Sequence, residues 1–284
     1  MRFIDINPLY SRIRSNLEAF LRDYSSRNGT PSIALLKVGN DPASESYFRS
    51  KENMCRKLNI KSVRYNLEPS AGEREIRKVI MEVSESSEID GILLENVLPG
   101  GISYGSIMDI VPPLKDLDGA SSLNLGMTEK GLPSIEPATS RAVLETLNYL
   151  QIPQGTKVCI INRSITVGKP LSMMLLNRNF SPLICHSRTL NLQEEARMSP
   201  VVVSAVGKPG FINSNFLSGG STVIDVGINS VQGKLVGDVD IEDLDDADVR
   251  VTPVPGGIGR LTSILVFDNL RIALERRSAF KGPK

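Results

Sequence analysis

KVCIINRSITVGKPLSMMLL, Lys157 to Leu176, is the stretch that decides the fold. Val158 to Ile161 is a β-branched apolar run of strand length. Leu171 to Leu176 has the unbranched apolar character of a helix, and Pro170 suits its first turn. Between them, Arg163, Ser164, Thr166, Gly168 and Lys169 offer a guanidinium, hydroxyls, an ammonium and a glycine beside a helix N-terminus. Strand, tight loop and helix in that order build a phosphate site. The GxGxxG fingerprint is broken, because Asn162 stands where its first glycine is wanted and only Gly168 remains. On spacing alone, a dinucleotide site and an ordinary strand-to-helix turn both stay open.

Outward from this stretch, strands and helices alternate. Toward the N-terminus the pattern predicts a helix over 11–24, a strand over 32–38, a helix over 46–58 and a strand over 61–67. A helix over 73–84 and a strand over 90–94 follow. Such alternation favours an α/β fold with parallel, doubly wound sheets. Residues 111–137 are rich in Pro, Gly, Asp and Ser and read as a long functional loop where the domain changes. A helix over 139–150 then links to the opening strand. Further strands are expected at 182–185, 200–206, 222–226 and 249–253, and a last helix at 263–275. The expected domains are 1–137 with 263–284, and 138–262.

At 284 residues the chain can fill two cores. Lys and Arg number 33 against 32 Asp and Glu, a formal net charge of +1, so no global field recruits nucleic acid or an anionic membrane. No apolar run approaches the ~18 residues of a spanning helix, and a soluble, unexported protein is expected. Cys55, Cys159 and Cys185 lie far apart and suit a reducing compartment as buried hydrophobes. With His186 the sole histidine, no zinc site is expected.

Four further constellations can carry chemistry. Tyr47 and Lys51 lie four apart on one helical face, after the GNDPAS loop at the end of a parallel strand, where open α/β sheets bind ligands. The alternative is a surface ring over a solvated amine. In KDLDGASSLN, Asp116 and Asp118 precede Gly119; one carboxylate could accept two donors from a planar heterocycle, or both could simply serve a turn. TPVPGGIGRLT, Thr252 to Thr262, is dense enough in Pro and Gly to be a rigid loop that lets backbone approach a ligand, or else an interdomain linker. HSRT, His186 to Thr189, ends the strand after the opening loop. An NAD site usually carries an acid about 20 residues past the glycine motif, and none stands here; Ser187 and Arg188, with Arg163, suit a 2′-phosphate, so NADP matches better.

Taken in order, these segments resemble the bifunctional methylenetetrahydrofolate dehydrogenase/cyclohydrolase family. VGNDPASESYFRSK is similar to its substrate motif, DGILLENVLP to its central strand and loop, PPLKDLDG to its pterin loop and NRSITVGKP to its cofactor loop. CHSRT, VSAVGKPG, VIDVGIN, GDVD and TPVPGGIGRLT follow in register. The resemblance implies two α/β domains, a folate substrate in a cleft, a Rossmann-type NADP domain, a homodimer and a cytoplasmic location. It implies that Tyr47 packs on the folate ring system, Lys51 is the principal catalytic group, and Asp118 binds the pterin edge. It implies that Pro255, Gly256 and Gly257 bound the substrate, and that Asn162, Arg163, Ser164, Ser187, Arg188 and Ile228 hold the cofactor.

Three places depart from the family pattern. Glu95 replaces a glutamine and is followed by Asn96 and Val97 in place of the usual apolar residue and proline; Asn162 replaces a glycine and Arg260 a proline. A neutral amide can orient Lys51 without fixing its charge, whereas a carboxylate within about 4 to 6 Å favours the ammonium. Glu95 thereby joins the catalytic candidates, and the expectation is that hydrolysis is weakened or moved to higher pH while hydride transfer survives. A dehydrogenase with little hydrolysis, a silent folate- or NADP-binding module, and a shikimate-type dehydrogenase are the alternatives. The retained Tyr47, Lys51 and Asp118 speak against silence, and the pterin loop and PVPGG segment against the last.

Overall fold

Apolar runs bounded by turn residues form parallel strands in this chain, and those at the sheet centres are buried throughout, as helix-covered sheets require. The computed structural model describes residues 1–39 and 42–280, leaving aside the side chains of residues 42–44, 47 and 280. The chain runs β1 (Arg2–Phe3), α1 (Asn7–Asn28), β2 (Ser32–Val38), α2 (Pro42–Lys57), β3 (Lys61–Leu67), α3 (Glu73–Glu85), β4 (Gly91–Leu94), α4 (Tyr104–Met108) and α5 (Ser122–Glu129). It continues with α6 (Ala138–Tyr149), β5 (Lys157–Ile161), α7 (Gly168–Leu176), β6 (Ser181–Cys185), α8 (Leu192–Arg197), β7 (Val201–Ser204) and β8 (Thr222–Asp225). β9 (Asn229–Val231), β10 (Lys234–Val236), β11 (Arg250–Val251) and α9 (Ile258–Phe280) complete it.

Two compact units result. One comprises Met1–Arg12, Thr128–Leu132 and Pro137–Leu265; the other comprises Ile13–Met127, Pro133–Glu136 and Val266–Lys284. In the first, six strands pair in the order β1-β11-β8-β7-β5-β6, all parallel. Cys159, Ile161, Val202, Val223 and Val251 fill its core beneath Phe216 and Leu244. From β5 the chain crosses to β6 on one side and then to β7 on the other. The switch point, where such sheets bind ligands, therefore lies beyond the carboxyl ends of β5 and β7. In the second unit β2 is flanked by β3 and β4, also in parallel, and all seven of its residues are buried. Ala34, Leu36, Ile80, Ile92 and Ile107 centre that core.

The parallel α/β reading holds, and several bounds move. Met1–Arg12, expected with 13–137, falls in the unit of β5 to β8, because β1 pairs with β11, Arg2 beside Arg250 and Phe3 beside Val251. The stretch 111–137 is not all loop: Ser122–Glu129 is helical. The rigid loop expected through Thr262 ends sooner, since α9 begins at Ile258 and runs unbroken past the expected start at 263. The expected strand over 200–206 stops at Ser204. Of the GNDPAS loop, Asn40 and Asp41 lie outside the described residues.

Candidate active site

The loop after β5 is closed by the residue that breaks the glycine pattern. Asn162 Oδ1 accepts the Ser164 N–H at 2.8 Å and the Gly168 N–H at 3.0 Å, while its Nδ2 donates to the Ala205 carbonyl at 2.7 Å. One carboxamide thus pins the start of α7 and bridges β5 to the end of β7, across the switch point. Ser164 adds two more ties, accepting the Val167 N–H on Oγ at 3.1 Å and the Lys169 N–H on its carbonyl at 3.0 Å. Gly168 is required sterically, because a Cβ there would collide with the Asn162 carbonyl. Arg163 and Lys169 are exposed beside this turn.

After the neighbouring β6, His186 shapes a second turn. Its N–H donates to Thr189 Oγ1 at 2.9 Å, and its Nδ1 accepts the Arg188 N–H at 3.1 Å. Ser187 and Arg188 are left exposed. Neither NRSITVGKP nor HSRT contains an acid, so the two turns present guanidinium, ammonium and hydroxyl donors alone. That donor set fits phosphate oxygens, bidentate recognition by Arg included.

Ile228 and the Pro/Gly segment meet around one cavity of about 350 Å³, lined by Gly227, Ile228, Leu235, Pro253 to Gly257, Gly259, Arg260 and Ser263. Ile228 is 62% exposed toward solvent, an unusual state for isoleucine. The Val254–Pro255 peptide is cis, and Gly256 has φ +100°, a conformation glycine adopts without strain. The Arg260 guanidinium lies 4.0 Å from the centroid of the Tyr10 ring and donates to Asn7 Oδ1, so a cation at a helix start is held by a ring face and an amide.

In the other unit, the two carboxylates of KDLDG have separate tasks. Asp116 is fully buried, and its Oδ2 accepts the Ser121 N–H at 2.8 Å and Asn124 Nδ2 at 3.0 Å. Burial pushes its carboxyl up. Asn269 of α9 donates to the Leu117 and Glu136 carbonyls at 2.9 and 3.0 Å, fixing the same loop from its other side. Asp118 is only half-buried, and its Oδ2 accepts the Tyr104 hydroxyl at 3.0 Å. Asp116 builds the loop, whereas Asp118 stays partly open to solvent.

Lys51 lies on α2, half-buried, and its positive field reaches Cys55 one turn on. Tyr47 stands on the same helix, but its side chain is outside the described residues. Glu95 follows β4, half-buried, with its N–H donated to the Leu36 carbonyl at 2.9 Å, so it sits where β2 and β4 end together. Glu45 anchors α2: it pairs with Lys37 of β2 and with Arg64 of β3, and these cations hold its carboxyl down at about 2. Sequence reasoning missed Tyr104, and it quoted Glu45, Asp225 and Asp238 only within motifs. An Asp within two residues of a glycine, as in VIDVG and GDVD, was the available signal. Among the described residues no group of three or more His, Cys, Asp or Glu could hold a metal, and no helix is long and apolar enough to cross a membrane.

Parallel sheets with acid-free, anion-ready turns at a switch point define a class: α/β enzymes that use a dinucleotide. A family model described as the catalytic domain of tetrahydrofolate dehydrogenase/cyclohydrolase matches residues 4–118, and one described as the NAD(P)-binding domain of the same family matches 137–278. The bifunctional protein FolD of Dictyoglomus turgidum is 37% identical over 96% of this chain and 97% of its own. The crystal structure of bifunctional 5,10-methylenetetrahydrofolate dehydrogenase/cyclohydrolase from Thermoplasma acidophilum is similar at TM-score 0.89 and 36% identity, covering 98% of this chain and all of that one. A FolD structure from Trypanosoma brucei, complexed with NADP cofactor and inhibitor, has TM-score 0.89 at 25% identity, over 97% and 98% of the two chains. The chain belongs to the tetrahydrofolate dehydrogenase/cyclohydrolase family.

Proposed function

We infer that this enzyme oxidises 5,10-methylenetetrahydrofolate with NADP and hydrolyses the methenyl product to 10-formyltetrahydrofolate. Bound NADP supplies the hydride acceptor, C4 of its nicotinamide. Loss of hydride from the bridging methylene leaves the methenyl cation; water adds to that carbon, a proton leaves, and one C–N bond of the ring opens. The first step needs alignment of two carbons above all. The observation that supports the reading is that Ile228, which the resemblance gives to the cofactor, and Pro255 to Gly257, which are assigned to the substrate, line a single cavity.

Around that step the residues bind, orient and move protons. Arg163 and Ser164, in the turn that Asn162 closes, hold phosphate, and Ser187 and Arg188 take the 2′-phosphate. Asp118 accepts the amino group and ring N–H of the pterin, with Tyr104 fixing its carboxylate. Tyr47 stacks on the folate ring system, and Lys51 shuttles the proton of the hydrolytic step. Glu95 supports a second reading for that step alone: as a carboxylate at the end of β4, it favours the charged form of Lys51 and slows hydrolysis at neutral pH.

The three buried, free cysteines suit a reducing cytoplasm, and β6, an edge strand with no partner among the described residues, supports assembly as a homodimer. The functional test incubates the protein with methylenetetrahydrofolate and NADP, following reduced cofactor and folate products separately. Reduced cofactor with 10-formyltetrahydrofolate is expected. No reduced cofactor rejects the dehydrogenase, and accumulating methenyl product assigns the defect to hydrolysis.

A further inference from the structure

Two carboxylates that the reaction does not touch organise the ends of β7, β8, β10 and β11. Asp225 and Asp238 are 2% and 0% exposed. Asp225 Oδ1 accepts the N–H groups of Gly227 at 2.9 Å and Asp238 at 3.0 Å, and its Oδ2 accepts that of Val239 at 3.0 Å. Asp238 Oδ2 accepts the Ser204 hydroxyl at 2.9 Å and the N–H groups of Val206 and Gly207 at 2.6 and 3.3 Å. Its Oδ1 accepts the Lys208 N–H at 3.0 Å and Asn229 Nδ2 at 3.1 Å. Thr252, at the head of the Pro/Gly segment, joins them by accepting the Asp225 N–H on Oγ1 at 2.8 Å.

The two groups interlock through glycines. A Cβ at Gly227 would overlap the Asp238 carboxylate, and a Cβ at Gly237 would overlap that of Asp225. Gly227 and Ile228 form one wall of the 350 Å³ cavity. That wall is therefore set by the acidic pair rather than by a hydrophobic support. The turn 206–208, beyond the end of β7 at the switch point, is set by the same Asp238.

We propose that Asp225 and Asp238 are positioning residues for the cofactor, a buried anionic lock that holds the 206–208 turn and the Gly227–Ile228 wall in their binding geometry. The proposal rests on the assignment of NADP to this unit. Only a carboxylate serves at 238, since both oxygens are committed to donors. An amide, in either orientation, would turn its NH2 toward a backbone N–H, that of Lys208 or those of Val206 and Gly207. Burial above all, with help from the neighbouring Asp238, pushes the Asp225 carboxyl up to about 6, so the charge is kept at neutral pH against its surroundings.

The experiment titrates NADP into the natural protein and into Asp238→Asn by calorimetry, with melting temperature and circular dichroism as controls of fold. The natural protein binds NADP; if it does not, the cofactor assignment itself fails. The lock predicts that folded Asp238→Asn binds about tenfold more weakly or worse, the scale of one charge-assisted hydrogen bond. It also predicts that KM for NADP rises far more than kcat falls at saturating cofactor. Binding within twofold of the natural protein, whatever the melting temperature, overturns the proposal, because a merely structural role moves stability alone. Should Asp238→Asn not fold, Ser204→Ala, which removes one donor from the same carboxylate, is read instead. A weakening of about threefold or more supports the lock, and unchanged affinity overturns it.

Discussion

At the scale of single residues, the charge of one side chain bears on the proposed hydrolysis. Glu95 stands where the family pattern has glutamine, beside the ends of β2 and β4. Glu95→Gln is expected to speed methenyl hydrolysis at neutral pH and to move its pH profile downward; superimposable profiles would remove Glu95 from the mechanism. Asp118 keeps one hydroxyl donor, Tyr104. Tyr104→Phe should raise KM for the folate about tenfold or more with little change in KM for NADP, since one hydrogen bond to a charged group is worth about 1.5–3 kcal/mol.

Asp225 bears on stability. Its carboxyl titrates near about 6 in the folded chain, above the usual 3.8, so the folded state binds a proton between those values that the unfolded state has released. The contribution of this group to stability is therefore greatest below about pH 4, falls as pH rises to about 6 and stays low above it. The size is on the order of 3 kcal/mol, two units at about 1.4 each. Urea unfolding of the natural protein and of Asp225→Asn at pH 4, 5, 6 and 7 should differ by that downward slope, and parallel curves would refute it. Asp118 and Lys51 are candidates because their motifs name them. Tyr104 and Glu45 were not legible, because their partners lie 14 and 19 residues away, at Asp118 and Arg64, and spacing says nothing about such contacts.

At the scale of elements, the loop between β5 and α7 shows how a broken motif can still work. A glycine-rich turn gains freedom to approach an anion, whereas this turn gains rigidity from the Asn162 carboxamide. Asn162→Ala removes three hydrogen bonds, two to the turn and one to β7. It should lower stability by about 1–3 kcal/mol and weaken NADP binding, as denaturant unfolding and titration would show. The strands of both sheets were legible from β-branched runs between turn residues. Helix α5 was not: Ser122–Glu129 contains Gly126 and Thr128 and lies inside a stretch rich in Pro, Gly, Asp and Ser. It is held instead by tertiary bonds, with Asn124 tied to Asp116, Pro113 and Ile135. The start of α9 was masked by glycines, because Gly257 and Gly259 read as loop while Gly257 N1-side packing against the Pro253 carbonyl admits no Cβ. The pair β9–β10 and the short α8 carry too few residues to give a period at all.

At the scale of the whole molecule, the division of the chain depends on long-range pairing that periodicity does not reveal. Two residues of β1 beside β11 draw Met1–Arg12 into the unit of β5 to β8, and α1 and α9 each contribute to both units. If the enzyme is a homodimer, light scattering should return twice the chain mass at micromolar protein, and a single-chain mass would refute it. The central claim is transfer of hydride from the folate methylene to NADP on this protein. It is tested most directly with methylenetetrahydrofolate deuterated at the bridging carbon, by mass spectrometry of the recovered reduced cofactor. One deuterium per NADPH, located at C4 of the nicotinamide, is the predicted result; NADPH without deuterium, or no NADPH, would contradict it.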